Sequence, residues 1–572
     1  MIGAKVVFQS LVKHGVKYVF GYPGGAILPV LNEFYNQGKI KYILSRTELG
    51  GSFMAEGYSK ATRNPGVVMV TSGPGAINIM TSMQNSLSDG TAVLALTGQV
   101  STSVIGTDAF QEADVVGISK SCTKWNTLLT DPTNIAASVD KAFHIMMDKR
   151  HGPVLLDLPK NIMSGPSGPQ TPFVPSSRFT DCAADSTVSY NTIYRHILQA
   201  RRPVVLAGQG ILQSECVAPL RFFVESYNLP VTTTLLGLGV VNERHRHSLQ
   251  MLGMHGSYAA NMTIQGCDLL LNFGSRFDDR IIGAPGLFAP GATIVHIDVL
   301  PKNINKTIPT TLYRVEDCRT VLEALNEFDR PGKHLYQTAD WWNRIHEWRK
   351  TGFTFPTGGA LQGREVLACL NGLIHESRDH SYTVVADVGA HQMWAAQFID
   401  YNYPRVKFVT SGGLGSMGFA LPASIGVKLG LPADRVICVC GDGGFQMTFQ
   451  ELSTAIEYGV GIKVIILNNS SQLMVKIWQE KFYNNQQIGT KMKNPPFELV
   501  CRALGCEAWR IDSREGLSET LRSFLAYEGG PIVLNVLTDS SESVLPMVSP
   551  GKALDDMILE ESTAGMTGDA PC

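Results

Sequence analysis

The chain of 572 residues is 44% hydrophobic and 17% charged, which is typical of a soluble globular protein with about three domains. Its formal net charge of −2 at pH 7 comes without a basic stripe, so we expect no nucleic acid and no anionic membrane as a partner. The sequence contains no run of about 20 apolar residues, which argues against a membrane-spanning segment.

The cysteines and the amino terminus indicate the compartment. The 11 cysteines include no Cys-x-x-Cys pair, and Cys438 and Cys440 lie inside an apolar run, as small core residues do in a reducing compartment. A helical pattern already includes residue 5, so we expect neither a signal peptide nor a transit peptide here. The predicted location is the cytoplasm, or the mitochondrion if a transit peptide has been removed.

Residues 1–165 alternate helical and strand patterns, which predicts an α/β domain with a mainly parallel sheet. The predicted strands are 16–20, 42–45, 67–70, 93–97 and 154–158, and the predicted helices are 4–14 and 54–62. Polar or glycine-rich segments follow three of these strands, at 21–25, 46–48 and 71–75. Ligands bind at such carboxyl ends of strands in open α/β sheets. Taken alone, a glutamate at position 48 is more simply explained as an acidic residue that the helix dipole favours in a first turn.

A second α/β domain is predicted at 190–330, after a linker at 165–190 that is rich in Pro, Gly and Ser. Its strands include 268–273 and 293–299. The loop after Phe273 carries several charges, which could form a ligand site or a solvated loop. A second linker is predicted at 328–359, with a helix around 341–348.

The third α/β domain is predicted at 360–540, with strands at 382–386, 436–440 and 462–467 and a helix at 450–456. The heptads 67–73 and 406–412 are similar, which suggests that the first and third domains are related. Residues 541–572 form a predicted tail that is polar apart from 544–547, and we expect 565–572 to be mobile.

Asp442 and Asn469 are predicted to share one metal ion. They follow the strands 436–440 and 462–467, and the carboxyl ends of parallel neighbours lie about 4.8 Å apart. An oxygen-only donor set suits Mg²⁺, which favours a diphosphate ligand. A lone Gly-Asp-Gly could be an ordinary tight turn. However, Gly-Asp-Gly at 441–443, 24 intervening residues (444–467) and Asn-Asn at 468–469 resemble the signature of thiamine diphosphate enzymes.

More specific motifs extend this resemblance over residues 1 to about 560. They are Phe-Gly-Tyr-Pro-Gly-Gly at 20–25, Gly-Thr-Asp-Ala-Phe-Gln-Glu at 106–112, Asp-Leu-Pro-Lys at 157–160, Met-Leu-Gly-Met-His-Gly at 251–256, Arg-Phe-Asp-Asp-Arg at 276–280 and His-Gln-Met-Trp-Ala-Ala-Gln at 391–397. With these motifs the chain resembles the catalytic subunits of the acetolactate synthase (acetohydroxyacid synthase) family.

The resemblance implies a fold, an activity and partners. The fold would be three doubly wound α/β domains with mainly parallel sheets, in the order pyrimidine-binding, central FAD-binding and diphosphate-binding. The activity would be that of a carboligase of branched-chain amino acid biosynthesis: a 2-keto acid such as pyruvate is decarboxylated on thiamine diphosphate, and the enamine adds to a second 2-keto acid. A homodimer or homotetramer would hold the active site between subunits, and a regulatory subunit is left open.

The resemblance also implies which residues bind thiamine diphosphate, Mg²⁺ and FAD. The thiamine diphosphate positions are Gly24, Glu48, His391, Gln392, Gly415, Met417, Gly441, Asp442, Gly443, Gly444, Asn469 and Met474. The Mg²⁺ ligands are Asp442, Asn469 and the backbone oxygen of Ser471. The FAD positions are Arg150, Gly253, Met254, His255, Gly256, Arg276, Asp278, Arg280, Asp298 and Asp317. FAD would be structural and would take no part in redox chemistry.

The catalytic positions implied by the resemblance are Glu48, Phe110, Gln111, Lys160, Arg276, Met474 and Trp478. Glu48 would hydrogen-bond the aminopyrimidine ring, and Met417 would prop the cofactor in a bent conformation. Arg276 and Trp478 would select the acceptor keto acid, because the planar fork of arginine matches a carboxylate. Phe110, Gln111 and Lys160 would line the substrate channel.

Five residues depart from the family pattern: Thr47, Leu49, Ala390, Gly444 and Leu473. They surround the expected cofactor but leave its glutamate and metal ligands intact. Two alternatives therefore stay open beside acetolactate synthesis. One is a diverged paralogue that makes another acyloin from a different acceptor, and the other is a catalytically inactive partner subunit.

Overall fold

The computed structural model describes residues 1–35, 37–174, 188–328, 337–351 and 359–559. The segment 565–572, predicted to be mobile, lies outside these ranges, as do parts of both predicted linkers. Three six-stranded sheets with parallel pairing throughout organise the chain, which confirms the predicted fold class. No helix in the described ranges combines the length and the apolar character needed to cross a membrane.

The first sheet has the strand order β2-β1-β3-β4-β6-β5. Its strands are β1 (Tyr18–Tyr22), β2 (Lys41–Leu44), β3 (Gly66–Val70), β4 (Val93–Gln99), β5 (Trp125–Leu128) and β6 (Val154–Pro159). The α-helices of this part are Gly3–Lys13, Leu28–Asn32, Glu48–Thr62, Pro74–Asn78, Met80–Asp89, Val115–Ser119, Ile135–Met147 and Lys160–Ser164. β3, β4 and β6 are buried along their whole length, and β3 is a continuous apolar run, whereas the edge strand β5 is half-buried and was not predicted from the sequence.

The central sheet has the order β12-β11-β10-β7-β8-β9, which read from the other edge is the doubly wound order 3-2-1-4-5-6. Its strands are β7 (Pro203–Ala207), β8 (Val231–Thr233), β9 (Ser248–Met251), β10 (Leu269–Phe273), β11 (Thr293–Asp298) and β12 (Leu312–Val315). The α-helices of this part are Tyr190–Gln199, Gly210–Gln213, Val217–Ser226, Tyr258–Gly266, Asp279–Ile282, Cys318–Asn326 and Ala339–Trp348.

The third sheet has the order β14-β13-β15-β16-β18-β17. Its strands are β13 (Tyr382–Ala386), β14 (Val406–Thr410), β15 (Arg435–Gly441), β16 (Lys463–Asn468), β17 (Glu507–Ile511) and β18 (Ile532–Leu537), and a separate antiparallel pair joins β19 (Met547–Val548) to β20 (Met557–Ile558). The α-helices are Gly363–Glu376, Ala390–Phe398, Ala420–Gly430, Asp442–Thr448, Leu452–Glu457, Leu473–Phe482, Phe497–Ala503 and Leu517–Ala526.

The first and third sheets share one strand order, 2-1-3-4-6-5 when each is counted from its own first strand. The predicted relation between the two domains is therefore confirmed. The heptads that suggested it are not equivalent, however, because 67–73 belongs to the third strand of one sheet and 406–412 to the second strand of the other. The structural counterpart of β3 is β15, which carries Asp442 at its end.

The first and third domains share one hydrophobic core. The helices Glu48–Thr62 and Ala420–Gly430 pack closely, and the rings of Phe53 and Phe419 meet edge to face at 5.4 Å. A Cβ added at Gly426 would lie 1.9 Å from the Met54 carbonyl oxygen, and one at Gly57 would lie 2.2 Å from that of Ala423. Glycine at both positions therefore permits this close helix crossing.

Candidate active site

A cavity of about 680 Å³ opens between the central and third domains. Its third-domain end is formed by the segments that follow β13, β14, β15 and β16, and its central-domain end by those that follow the strands β7–β12. The carboxyl ends of strands from two parallel sheets thus face one space, which is where doubly wound folds bind ligands.

Asp442 and Asn469 lie together at the third-domain end. β15 and β16 are neighbours, and Gly441 pairs with Leu467, so each side chain emerges just past the end of its strand. Asp442 is buried and begins the helix Asp442–Thr448, so Gly443 and Gly444 are helical, and this helix was not predicted from the sequence. Burial raises the pKa of Asp442, and hydrogen bonds from Asn494 (2.6 Å) and the Gly443 N–H (3.0 Å) oppose that shift.

This donor set fits Mg²⁺ with a diphosphate. It contains one carboxylate, the amide oxygen of Asn469 and nearby backbone oxygens, which are the hard ligands that Mg²⁺ prefers. Within the described ranges no group of three or more His, Cys, Asp or Glu could hold a softer metal. The buried hydroxyl of Ser471, which lines the cavity, lacks a hydrogen-bond partner among the described residues, as expected where a polar ligand completes a site.

Two of the glycines beside Asp442 make room for other side chains of the same domain. A Cβ at Gly443 would lie 2.4 Å from the Gln472 amide, and one at Gly444 would lie 2.8 Å from the Asp387 carboxylate. Gly444, one of the departures from the family pattern, therefore accommodates Asp387. That carboxylate accepts the Gly418 N–H at 3.0 Å and so fixes the loop that carries Met417.

His391 lies beneath the glycine-rich turn. The Gly441 N–H points to His391 Nε2 at 3.3 Å, and a Cβ at Gly441 would be 3.0 Å from the ring. Burial lowers the pKa of His391 to about 3, so the imidazole is neutral. Gln392 is held by its amide, which donates to Thr410 Oγ1 at 2.7 Å and to the Ser411 carbonyl at 3.0 Å.

The loop with Gly415 and Met417 is fixed partly by the first domain. Ser411 Oγ accepts the N–H groups of Gly415 (3.1 Å) and Ser416 (2.8 Å) and donates to Asn85 Oδ1 at 2.6 Å. Met417 itself lines the cavity. The neighbouring N–H of Gly413 is held at 2.6 Å by Asp89, which is buried and paired with Lys60.

The central-domain end of the cavity suits a large polar cofactor such as FAD. Predicted positions that line it are Arg150, Met254, His255, Arg276, Asp278, Arg280, Asp298 and Asp317. Burial, followed by the nearby charge of Arg276, lowers the pKa of Arg150 to about 10. His255 Nε2 and Ser275 Oγ, two polar atoms of the lining, are buried without a hydrogen-bond partner among the described residues, as expected where a polar ligand completes the site.

Gly253 and Gly256 do not line the cavity but shape the loop beside it. Gly253 has φ +108°, and a Cβ there would meet the Arg280 carbonyl at 2.2 Å. Gly256 is equally confined, because its Cβ would lie 2.4 Å from the Leu252 carbonyl carbon. The turn 251–256 therefore requires glycine at both positions, and at Gly253 the absence of a side chain lets the turn lie against the helix Asp279–Ile282.

Apart from Arg150, the first-domain candidates do not line this cavity within one chain. Glu48 begins the helix Glu48–Thr62 and accepts the side-chain amide of Asn78 at 3.1 Å. Phe110 is 89% exposed, and Lys160 is also exposed. Gln111 has φ +61° and lies beside Gly73. A Cβ at Gly24 would be 2.5 Å from Thr71 Cβ, so this glycine serves packing within the first domain.

Several polar residues that support the site were not predicted from the sequence, among them Asn494, Asp387 and Glu451. Asn494 donates to Asp442 at 2.6 Å and to Asn468 Oδ1 at 2.8 Å, and so joins the ends of β15 and β16. No local pattern marks this role, because Asn494 reaches the two strands from a separate loop. A buried Asp after the strand β13 was the one signal available for Asp387.

Comparison with known proteins agrees with this geometry. Thiamine pyrophosphate enzyme domains match in order: the N-terminal TPP binding domain at residues 1–118, the central domain at 190–325 and the C-terminal TPP binding domain at 387–536. The mitochondrial acetolactate synthase of Schizosaccharomyces pombe is 42% identical over 98% of this chain and 86% of its own length.

Two further relatives are also similar over 98% of this chain. The mitochondrial acetolactate synthase catalytic subunit of Saccharomyces cerevisiae is 40% identical, covering 98% of this chain and 84% of the relative. The acetolactate synthase isozyme 3 large subunit of Escherichia coli is 38% identical, covering 98% and 99%. The chain belongs to the acetolactate synthase family of thiamine pyrophosphate enzymes. Thiamine diphosphate is accordingly its cofactor, and the third-domain end of the cavity is the place that fits the diphosphate.

Proposed function

We propose that this acetolactate synthase family member decarboxylates pyruvate and joins the remaining two-carbon unit to a second 2-keto acid, which with pyruvate as acceptor yields acetolactate. The observation that carries the proposal is that one cavity is lined by Asp442 and Asn469 at its third-domain end and also by Arg276 and Trp478. Thiamine diphosphate, when bound, supplies the carbon nucleophile and the electron sink for decarboxylation.

We assign the binding roles to residues of the cavity. Asp442, Asn469 and the backbone oxygen of Ser471 would hold Mg²⁺, and His391, Gln392 and the glycines 441, 443 and 444 would surround the diphosphate. Gly415 and Met417 would support the cofactor from the loop after β14. Met474, which lies one turn before Trp478 in the helix Leu473–Phe482, would contact both cofactor and substrate. Arg276 would bind the acceptor carboxylate in a bidentate manner.

Glu48 would come from a second copy of the chain. Within one chain Glu48 does not line the cavity. Its proposed role, however, requires a hydrogen bond to the aminopyrimidine ring of the cofactor. Large apolar side chains stand exposed in both outer domains, as expected for surfaces that a second copy covers. They include Leu28, Ile77, Phe110, Leu414, Met447, Val475, Tyr483 and Ile488. Phe110, Gln111 and Lys160 would complete the substrate channel in a homodimer or a homotetramer of such dimers.

FAD would occupy the central-domain end, held by the positions named above and by Gly253 and Gly256 through their turn. The names of the fungal and bacterial relatives distinguish a catalytic or large subunit, and we propose a regulatory subunit as a partner here too. A mitochondrial or a cytoplasmic location remains a prediction, as do the domain bounds 1–165, 190–330 and 360–540 with the tail 541–572.

The direct test is product analysis with the purified protein. Pyruvate should be consumed and acetolactate should be detected by mass spectrometry, provided that thiamine diphosphate and Mg²⁺ are present. The visible spectrum of the same sample should show bound flavin. Pyruvate turnover without acetolactate would contradict the proposed product, and a colourless active protein would contradict the FAD assignment alone.

A different acceptor is the second candidate, because two departures from the family pattern lie in the cavity lining. Leu473 is 5% exposed and puts a branched side chain beside Met474, and the buried Ala390 removes a donor beside His391. Screening 2-keto acids and aldehydes as acceptors, with product identification by mass spectrometry, separates this candidate from acetolactate synthesis.

A further inference from the structure

Glu451, a residue of the third domain, holds the turn of the first domain that carries Glu48. Its side chain is fully buried. Its carboxylate accepts the Arg46 N–H at 3.1 Å (Oε1) and 3.0 Å (Oε2), and Oε1 also accepts the Thr47 N–H at 3.0 Å. The hydroxyl of Thr47 donates to the same oxygen at 3.1 Å. One carboxylate thus binds two consecutive backbone N–H groups and one side chain of the turn.

The surroundings of Glu451 confirm that the site is built around a carboxylate. Thr454 Oγ1 donates to Oε2 at 2.9 Å, so both oxygens have partners. A Cβ at Gly50 would lie 2.1 Å from Oε1, so only glycine fits at that position in the helix Glu48–Thr62. Charge-assisted hydrogen bonds of this kind are about twice as strong as neutral ones.

The contact sets the position of Glu48 through Thr47. Thr47 is the N-cap of the helix Glu48–Thr62, and its Oγ1 accepts the Gly50 N–H at 2.9 Å. Because Glu48 is the next residue, fixing Thr47 fixes where the Glu48 backbone starts. Thr47 is one of the departures from the family pattern, so its hydroxyl contact with Glu451 belongs to this chain.

The same third-domain segment contacts the rest of the turn. The Tyr458 hydroxyl accepts the Leu44 N–H at 2.9 Å, at the end of β2. The Arg46 guanidinium pairs with Glu457, whose side chain is 47% exposed. Glu457 therefore resembles Glu451 in chemistry and target but contacts no backbone N–H of the turn, which makes it a matched control.

We propose that Glu451 is a positioning residue for Glu48, and that it connects two cofactor sites of the dimer. The segments Asp442–Thr448, Phe449–Glu451 and Leu452–Glu457 follow one another directly, so a helical run leads from the metal ligand Asp442 to Glu451. The inference rests on the proposed function, in which Glu48 serves the cofactor held by the partner. Each chain then links Asp442, which serves the site that this chain shares through its third domain, to Glu48, which serves the cofactor held by the partner.

The first test uses the cofactor-free protein. In Glu451→Gln an amide replaces the carboxylate that accepts the N–H groups of Arg46 and Thr47. Backbone hydrogen exchange in the peptide containing these two residues should therefore accelerate about tenfold or more. Glu457→Gln should leave that peptide unchanged. Equal exchange in wild type and Glu451→Gln would overturn the positioning role.

The second test measures exchange of the thiazolium C2 proton in the holoenzyme by quenched-flow NMR, which requires no keto acid. Glu451→Gln should slow this exchange and kcat by about 10- to 100-fold, because a displacement near 1 Å has that effect. The KM for pyruvate and the affinity for thiamine diphosphate should stay within about twofold. Glu457→Gln should match wild type, and C2 exchange in Glu451→Gln equal to wild type would overturn the inference.

Two further variants keep the outcomes separate. If Glu451→Gln does not fold, Glu451→Asp preserves the charge and should give intermediate C2 exchange; wild-type exchange in that variant would also overturn the inference. Glu48→Gln should abolish C2 exchange. If it does not, the proposed role of Glu48 fails, whereas normal exchange confined to the Glu451 variants refutes only the positioning role.

Discussion

Glu48 and Asp442 are the two side chains on which the proposed chemistry depends most, and they differ in how far they are buried. Glu48 is half-buried and bound to Asn78 Nδ2, whereas Asp442 is buried and bound to Asn494. Each therefore has an amide partner that orients its carboxylate before any ligand binds. Preorganised groups of this kind contribute most to catalysis.

Glu48→Gln should lower kcat by about 10²- to 10⁴-fold, the usual contribution of a positioned acid or base. The glutamine still accepts a hydrogen bond from Asn78, so the fold and the binding of thiamine diphosphate should remain. Steady-state kinetics and cofactor titration measure both. Retention of wild-type kcat would contradict the role assigned to Glu48.

Asp442→Asn should weaken Mg²⁺ binding at least tenfold, because it removes the only carboxylate among the proposed ligands. The measurement is the Mg²⁺ concentration needed for half-maximal thiamine diphosphate binding. Asp512→Asn, at an exposed position far along the chain, serves as the control. Unchanged Mg²⁺ dependence in Asp442→Asn would remove Asp442 from the metal site.

Residues in local motifs could be predicted from the sequence, and residues that act across long distances in the chain could not. Asp442 and Asn469 end adjacent strands with a recognisable spacing, so the register of β15 and β16 follows from the pattern. Asn494 and Glu451 reach their targets through tertiary contacts, and nothing in their immediate sequence indicates a partner. The residues that support the predicted side chains, such as Asn494 and Glu451, could therefore be identified only from the folded structure.

At the scale of elements, the helix pair Glu48–Thr62 and Ala420–Gly430 joins the two outer domains. Buried strands were predictable because they are continuous apolar runs, as for β13 and β3. Short or half-buried strands such as β5 and β8 lack that signal. The helix beginning at Asp442 was not predicted either, because glycine is a poor helix former, yet Gly443 and Gly444 lie in it, close to Gln472 and Asp387.

Gly426→Ala should lower the melting temperature, since its Cβ would collide with the Met54 carbonyl, and overpacking of this kind costs about 1–3 kcal/mol. Gly372→Ala is the matched control in the helix Gly363–Glu376. Its Cβ would meet nothing within 4 Å, so it should raise stability by about 0.5–1 kcal/mol. Thermal unfolding of both variants tests the crossing; equal shifts would contradict it.

At the scale of the whole molecule, buried carboxyl groups make stability depend on pH. Burial raises the pKa of Asp157 to about 7, although the Thr97 and Gln99 side chains donate to it. Burial also raises the pKa of Glu542 to about 7 and that of Asp387 to about 6. The protonated forms are favoured in the folded state, so the stability these groups contribute is present below pH 3.8 and is lost as pH rises through 6 to 7.

Asp157→Asn isolates one of these groups. The melting temperature of wild type, relative to that of the variant, should fall as pH rises from about 5 to about 8, because only wild type must ionise a buried carboxyl there. Thermal unfolding across that range measures the difference. A difference that is constant with pH would show that Asp157 titrates alike in the folded and unfolded states.

The central claim is that Glu48 of one chain and the Asp442 and Asn469 pair of another act on the same cofactor. Co-expression of Glu48→Gln and Asp442→Ala chains, each inactive alone, tests it most directly. Random pairing should restore about a quarter of wild-type activity, since half of the dimers would be mixed and each would hold one intact site. No activity in isolated mixed dimers would contradict the account and place both residues in one chain's own site.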